Sequence, residues 1–112
     1  MTIKGIEFEF NPGNAAHVER VQAAAEAYNE AHKADAALAD GTLPGAVAFM
    51  RADNRSIKAF VDTILGPGSA EALGWDPDDH DKALDLMQTL SDSISAAMSR
   101  LTGNRKQRRA KR

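Results

Sequence analysis

Apolar residues recur at every third or fourth position in the last third of the chain, residues 76–112. This spacing lines one face of an α-helix. Asp76 is predicted to cap the helix, Pro77 to occupy its first position, and Gly103 to end it. An apolar stripe of this length needs a surface to pack against. The stripe contains Leu84, Met87, Leu90, Ile94, Met98 and Leu101.

An alanine-rich segment with the same period follows Asn14, which is a suitable N-cap for a helix that runs to about Asp40. Alanine favours helix strongly but buries little area. We therefore expect this helix to form easily, to pack weakly and to approach its neighbour closely. Its apolar face contains Val18, Val21, Ala25, Tyr28 and Leu38.

A third helical segment is predicted from about Pro44 or Ala46 to Leu65, where Gly66-Pro67-Gly68 ends it. A break near Asp53, with this residue capping a second half, is the alternative. One helical turn is expected at 69–73. The apolar face of the long segment contains Val47, Met50, Ile57, Phe60, Val61 and Ile64.

Residues 2–10 contain the clearest strand signal, because residues 6–10 alternate between apolar and acidic side chains with the period of a β-strand. A bend at Gly5 would pair residues 2–4 with residues 6–8 as a hairpin. The alternative is a single strand that joins the sheet of another chain. Ile6, Phe8 and Phe10 lie on one side of the strand, and Glu7 and Glu9 lie on the other.

These elements predict a mainly α protein with a short N-terminal β-hairpin or strand, three to four helices, and a disordered basic tail. Residues 1–103 are expected to form a single α-rich domain with its strand region at 2–10, and residues 104–112 to form the tail. A chain of 112 residues fits one domain. Its burial fraction is modest at this size, so self-association is expected.

The formal net charge of −2 conceals a division between the body and the tail. All 16 Asp and Glu precede position 104, whereas six of the 14 Lys and Arg follow it. The tail therefore offers an electrostatic contact to nucleic acid, to an acidic protein face or to its own body; the other interpretation is a solubilising end. No aromatic residue is interleaved to stack on bases. The basic residues are Arg105, Lys106, Arg108, Arg109, Lys111 and Arg112.

The absence of cysteine excludes disulfides and thiolate chemistry and fits a reducing cytoplasm. No apolar run approaches the roughly 20 residues that span a bilayer, so we expect no membrane segment. The N-terminus lacks the apolar region of a signal peptide. A cytoplasmic protein is the expectation.

The acidic run from Asp76 to Asp81 is the densest polar cluster. It could hold a cation, but a calcium loop would require glycine where Asp81 stands and glutamate where Met87 stands. The favoured interpretation is a helix start whose acidic residues match the helix dipole. The three histidines lack metal-ligand spacing, and no nucleophile or phosphate-binding motif is present. We expect no enzyme, no cofactor and no metal.

Trp75 precedes the last helix and is interpreted as a core plug, with an exposed interface anchor as the alternative. The methionines on helix faces favour core filling. Their flexibility would also suit binding to varied apolar partners.

Two stretches together resemble the small tail assembly chaperones of long-tailed phages and prophages: the strand segment Ile3–Phe10 and the closing segment Asn104–Arg112. The length and the helicity agree with this resemblance. It implies a non-enzymatic protein that self-associates and masks the apolar helices of the tape measure protein before tail tube subunits polymerise. It also implies a frameshift-extended form in many cases. The tail tube protein is a second expected partner.

The apolar residues expected to bind the partner lie on the helix faces and beside the last turn. Two rival hypotheses are a small nucleic-acid-associated protein that uses the basic tail and a structural virion adaptor. The acidic body disfavours the first of these, because a docking face on nucleic acid needs positive charge beyond the tail. The expected partner-binding residues are Val47, Met50, Phe60, Ile64, Trp75, Leu84, Met87, Leu90, Ile94 and Met98.

Overall fold

The structure is a computed structural model that describes the backbone of residues 1–110 and the side chains of residues 1–101. A two-stranded antiparallel hairpin precedes four helices, which confirms the predicted mainly α fold. The elements are β1 (Thr2–Ile3), β2 (Ile6–Glu7), α1 (Ala15–Ala36), α2 (Leu43–Leu65), α3 (Ser69–Ala72) and α4 (His80–Ala110).

The hairpin turns through Lys4 and Gly5, which have φ values of 51° and 79°. Two consecutive residues with positive φ form the tight turn whose twist suits a two-residue hairpin loop. The register pairs Ile3 with Ile6, so the hairpin interpretation is confirmed over addition to another chain's sheet. Phe8 and Phe10 follow it into the core, as the alternation predicted.

Local caps set the starts of α1 and α2. The Asn14 side chain accepts hydrogen bonds from the backbone N–H groups of Ala16 and His17, as expected for an N-cap. Thr42 accepts from Gly45 N–H in the same way at the start of α2. The predicted alternative of a break near Asp53 is wrong. The helix continues through Asp53, which is buried inside the fold.

α4 begins and ends later than predicted. The turn after Pro77 delays the helix until His80, and Asp79 rather than Asp76 accepts the N–H of Lys82 as the cap. The predicted stop at Gly103 is also wrong, because the backbone of α4 continues to Ala110. Glycine inside a helix costs only about 1 kcal/mol, and the residues after it include strong helix formers.

α2 is the central element, because α1, α3 and α4 all pack against it. Its apolar face and the inner face of α4 meet under the hairpin. Ile57, Ile64 and Leu90 are fully buried there, and each contributes roughly 1.5–3 kcal/mol of burial free energy. The core contains Ile3, Phe8, Phe10, Ala24, Ile57, Phe60, Val61, Ile64, Leu65, Ala70, Leu73, Ala83, Leu86 and Leu90.

α1 contributes little area to this core, as its alanine content predicted. Ala24 is its one fully buried residue, while Val21 and Tyr28 pack partly against the core. Polar contacts to α2 supplement the packing. The Ser56 hydroxyl donates to Asp35 at 2.7 Å.

Candidate functional site

A buried carboxylate joins α1, α2 and the start of α4. Asp53 is only 1% exposed. Its Oδ1 accepts from the Tyr28 hydroxyl at 3.0 Å and lies 3.0 Å from His32 Nδ1. His80 Nε2 approaches Oδ2 at 3.7 Å. Polar partners on three sides offset the cost of removing this group from water.

The neighbouring Asn54 holds the segment between α3 and α4. Its side-chain amide donates to the Pro77 carbonyl at 2.9 Å, and its Oδ1 lies 2.8 Å from His80 Nδ1. The Trp75 indole donates to the Asn54 carbonyl at 2.9 Å. Asn54 and Asp53 thus fix the loop 74–79 on the side of α2.

This network raises the pKa of Tyr28 above its ordinary value of 10, because burial and then the hydrogen bond to Asp53 disfavour the tyrosinate. Phe49 lies edge-on between the rings of His32 and His80, with centroid distances of 6.0 and 5.7 Å. The carboxylate is therefore enclosed by side chains and closed to a substrate. We assign the network a structural role: it holds the middle of α2 against the acidic loop, directly after the first turns of that helix.

An exposed apolar row lies on those first turns. Leu43, Val47 and Met50 follow one another at spacings of four and three residues, and their exposed fractions are 83%, 41% and 37%. Residues at this spacing share one face of a helix. We call these three residues the α2 row. They are the arrangement of anchors that a helix face uses to contact another helix.

Acidic side chains border one end of the α2 row. Met50 shares a concavity of about 400 Å³ with the aspartates of the loop and the first turn of α4. Arg51 pairs with Asp78 at 3.0 Å, and Asp79 caps α4. The remaining negative charge favours a partner that carries Lys or Arg beside its apolar residues. The aspartates are Asp76, Asp78, Asp79 and Asp81.

A second row lies on α4 beside a groove. Leu84 is 40% exposed, and Met87 is half-buried against the core. Together with Ala25 and Tyr28 of α1, they line a groove of about 330 Å³ over Phe60. Ile94 and Met98 continue this side of α4 and are half-buried.

Three of the residues expected to bind a partner belong to the core instead. Phe60, Ile64 and Leu90 are 8%, 0% and 0% exposed. They are therefore not on the surface of this fold, because the apolar spacing of α2 and α4 serves packing within the chain first. Trp75 is half-buried and packs on the core, with the Lys58 ammonium 5.7 Å from its ring centroid.

The acidic run 76–81 forms a turn and a helix cap. Asp76 accepts the N–H of Asp78, and Asp79 accepts that of Lys82. Among the residues that the structure describes, no group of three or more His, Cys, Asp or Glu could hold a metal ion. None of the described helices is long and apolar enough to cross a membrane.

The expected electrostatic tail falls outside the side chains that the structure describes, and its last two residues fall outside the described backbone. The backbone of residues 104–110 belongs to α4 instead of a disordered segment, whereas the contacts of the tail stay a prediction. The residues concerned are Arg105, Lys106, Arg108, Arg109, Lys111 and Arg112.

Sequence reasoning missed Leu43 and the Asp53 network. Leu43 precedes Pro44, the earliest predicted start of α2, so it lies outside the predicted helix. The first turn of α2 includes it because Thr42 caps the helix one position earlier. The partners of Asp53 lie 21 to 27 positions away in the chain, and no local pattern brings them together.

One protein family model, described as a family of unknown function (DUF6673), matches residues 4–112. No curated protein and no solved structure shows significant similarity to the chain. The match covers almost the whole chain, and the chain belongs to this family.

Proposed function

We propose that this member of the DUF6673 family is a non-enzymatic tail assembly chaperone that masks apolar helical segments of a tape measure protein. The observation that carries the proposal is the α2 row, in which Leu43 stands 83% exposed at the start of a helix. Exposure of a leucine, a valine and a methionine on one helix face to water is unfavourable in free energy. A partner helix that covers these side chains removes that unfavourable exposure.

The acidic border supplies selectivity. A tape measure helix with apolar residues at positions i, i+3 or i+4 and i+7 would contact the α2 row, while adjacent Lys or Arg would face the aspartates. Met50 adds flexibility for a partner whose sequence varies along its length. The same border opposes the nucleic-acid hypothesis at this surface, because phosphates and aspartates repel each other.

The Asp53 network stabilises the part of α2 that directly follows the α2 row. It fixes α2 against the loop that bears the aspartates, so both parts of the surface keep one relative geometry. A rigid binding face loses less conformational entropy when its partner arrives. The tail tube protein remains a second candidate partner, since it polymerises around the same tape measure.

The test is co-expression with a long helical protein encoded nearby. We expect the intact chain and a 1–103 truncation to keep the partner soluble, whereas Val47→Asp with Met50→Asp loses this effect. Leu38→Asp is the matched control, because Leu38 is 44% exposed and belongs neither to the α2 row nor to the expected partner-binding residues. Far-UV circular dichroism checks that all variants remain helical.

Binding through the α2 row should persist at moderate salt, since its apolar part is not screened. Loss of partner solubility in the truncation alone would instead make the tail the working part and favour an electrostatic adaptor. Retention of full activity by the Val47/Met50 double variant would contradict the proposal.

A further inference from the structure

We propose that two copies of the chain pair antiparallel through α4. The interface is a row of six positions at alternating spacings of three and four, which we call the α4 seam. This spacing is the heptad pattern that lines the contact between two coiled helices. The seam contains Leu84, Met87, Ser91, Ile94, Met98 and Leu101.

The α4 seam lies beside the face that α4 uses within the chain. Ala83, Leu86 and Leu90 form that inner face and are at most 2% exposed. Leu84 and Leu101, at the two ends of the seam, are 40% and 42% exposed. The four positions between them are half-buried. α4 thus buries one side internally and leaves a neighbouring row partly exposed along about five turns, although Met87 and Ile94 of that row also pack against the core.

The groove between α1 and α4 extends this row into a concave surface. Its volume is about 330 Å³, and its walls include Ala25, Leu84, Met87 and Ser91. Small alanines on α1 leave room for a helix to approach, since they project little beyond the backbone. A second α4 would place its own apolar ends there.

Charge along α4 decides the orientation. Every aspartate of α4 precedes Ser93, and every arginine of α4 follows Asp92. Lys82 is the one basic residue in the acidic half. Parallel pairing would bring like charges together, whereas antiparallel pairing brings the acidic half of one copy to the basic half of the other.

The seam also fixes a register. A two-fold axis between Asp92 and Ser93 places Leu84 opposite Leu101 of the second copy. It places Asp85 opposite Arg100 of the second copy, and Met87 opposite Met98 of that copy. Each contact then occurs twice, as a closed two-fold interface requires. Asp85 and Arg100 are both exposed and can reach across the rim.

Pairing through α4 involves no residue of the α2 row and does not depend on the proposed function. Sedimentation velocity over a wide concentration range gives the first test. We expect a dimer whose dissociation constant rises by roughly tenfold or more in Leu84→Asp, because the aspartate would be buried without a partner. Val47→Asp is the control and should leave the dimer intact.

The orientation is tested by cysteine pairing, since the natural chain has no cysteine. Mixing Leu84→Cys with Leu101→Cys under mild oxidation should yield a disulfide-linked pair of the two different variants, because facing positions meet disulfide geometry. Neither variant alone should cross-link efficiently. Cross-linking of Leu84→Cys with itself would overturn the antiparallel register.

Charge reversal gives a second check on the register. Asp85→Arg alone should weaken the dimer, and adding Arg100→Asp should restore it. A wild-type chain that sediments as a monomer at high concentration would overturn the proposal. A dimer that Leu84→Asp leaves unchanged would also overturn it.

Discussion

The Asp53 carboxylate accepts a hydrogen bond from the Tyr28 hydroxyl at 3.0 Å. The bond joins the middle of α1 to the middle of α2. This bond is one of several polar links to a helix that buries little apolar area of its own. His32 approaches the same oxygen at 3.0 Å. The alanine-rich α1 is thus positioned by a few directional contacts as well as by packing.

The first prediction follows from the raised pKa of Tyr28, whose hydroxyl keeps its proton more tightly in the folded than in the unfolded chain. The stabilisation is therefore complete below the ordinary pKa of 10 and declines as the pH rises above it. Tyr28 is the only tyrosine. Absorbance of tyrosinate should appear at higher pH in the native protein than in urea. Coincident titration curves in the two states would contradict this.

The second prediction concerns Asp53 itself. Asp53→Ala should lower the free energy of unfolding by about 2–4 kcal/mol, because it leaves the Tyr28 hydroxyl and the facing histidines without their acceptor. Asp53→Asn retains an oxygen for Tyr28 and should cost roughly half as much. Urea denaturation monitored by Trp75 fluorescence measures both. Equal costs for the two variants would indicate that the network requires the negative charge of the carboxylate, and that one acceptor oxygen at this position is not sufficient.

The third prediction distinguishes two neighbouring aspartates. Asp79→Ala should cost about 1 kcal/mol, because Asp79 caps α4 through the N–H of Lys82. Asp76→Ala removes the same charge but only a turn contact to Asp78, so its effect should be smaller. Thermal melts of the two variants make the comparison. A larger loss of stability for Asp76→Ala would instead support Asp76 as the helix cap, as expected from the sequence.

These aspartates illustrate what local patterns can and cannot predict. The Asn14 cap and the turn at Lys4-Gly5 depend on neighbours in sequence, so both were predictable. The choice between Asp76 and Asp79 depends on the hydrogen bond from Asn54 to the Pro77 carbonyl, which is made across 23 positions. Each aspartate alone satisfies the local rule for a cap.

The phase of α4 was ambiguous for a related reason. Two rows fit the helical period: one begins at Leu84 and Met87, and the other includes Ala83, Leu86 and Leu90. Periodicity alone gives them similar weight. Contact with α2 selects the second row for the core, which leaves Leu84 exposed and takes Leu90 out of the expected binding surface. Tertiary packing therefore sets which predicted residues remain available.

The last prediction concerns the basic segment 104–112. α4 spans 31 residues, so roughly 45 Å separates its acidic start from its end. Because residues 104–110 form the last turns of this helix, their backbone lies too far along its axis to contact the aspartates near position 79 of the same chain. Deleting 104–112 from the Leu84→Asp variant, where pairing between copies is removed, should therefore leave the melting temperature nearly unchanged at any salt concentration. The matched control replaces the six basic residues with glutamine. A destabilisation that appears in both variants and fades with added salt would show that the segment folds back on its own body.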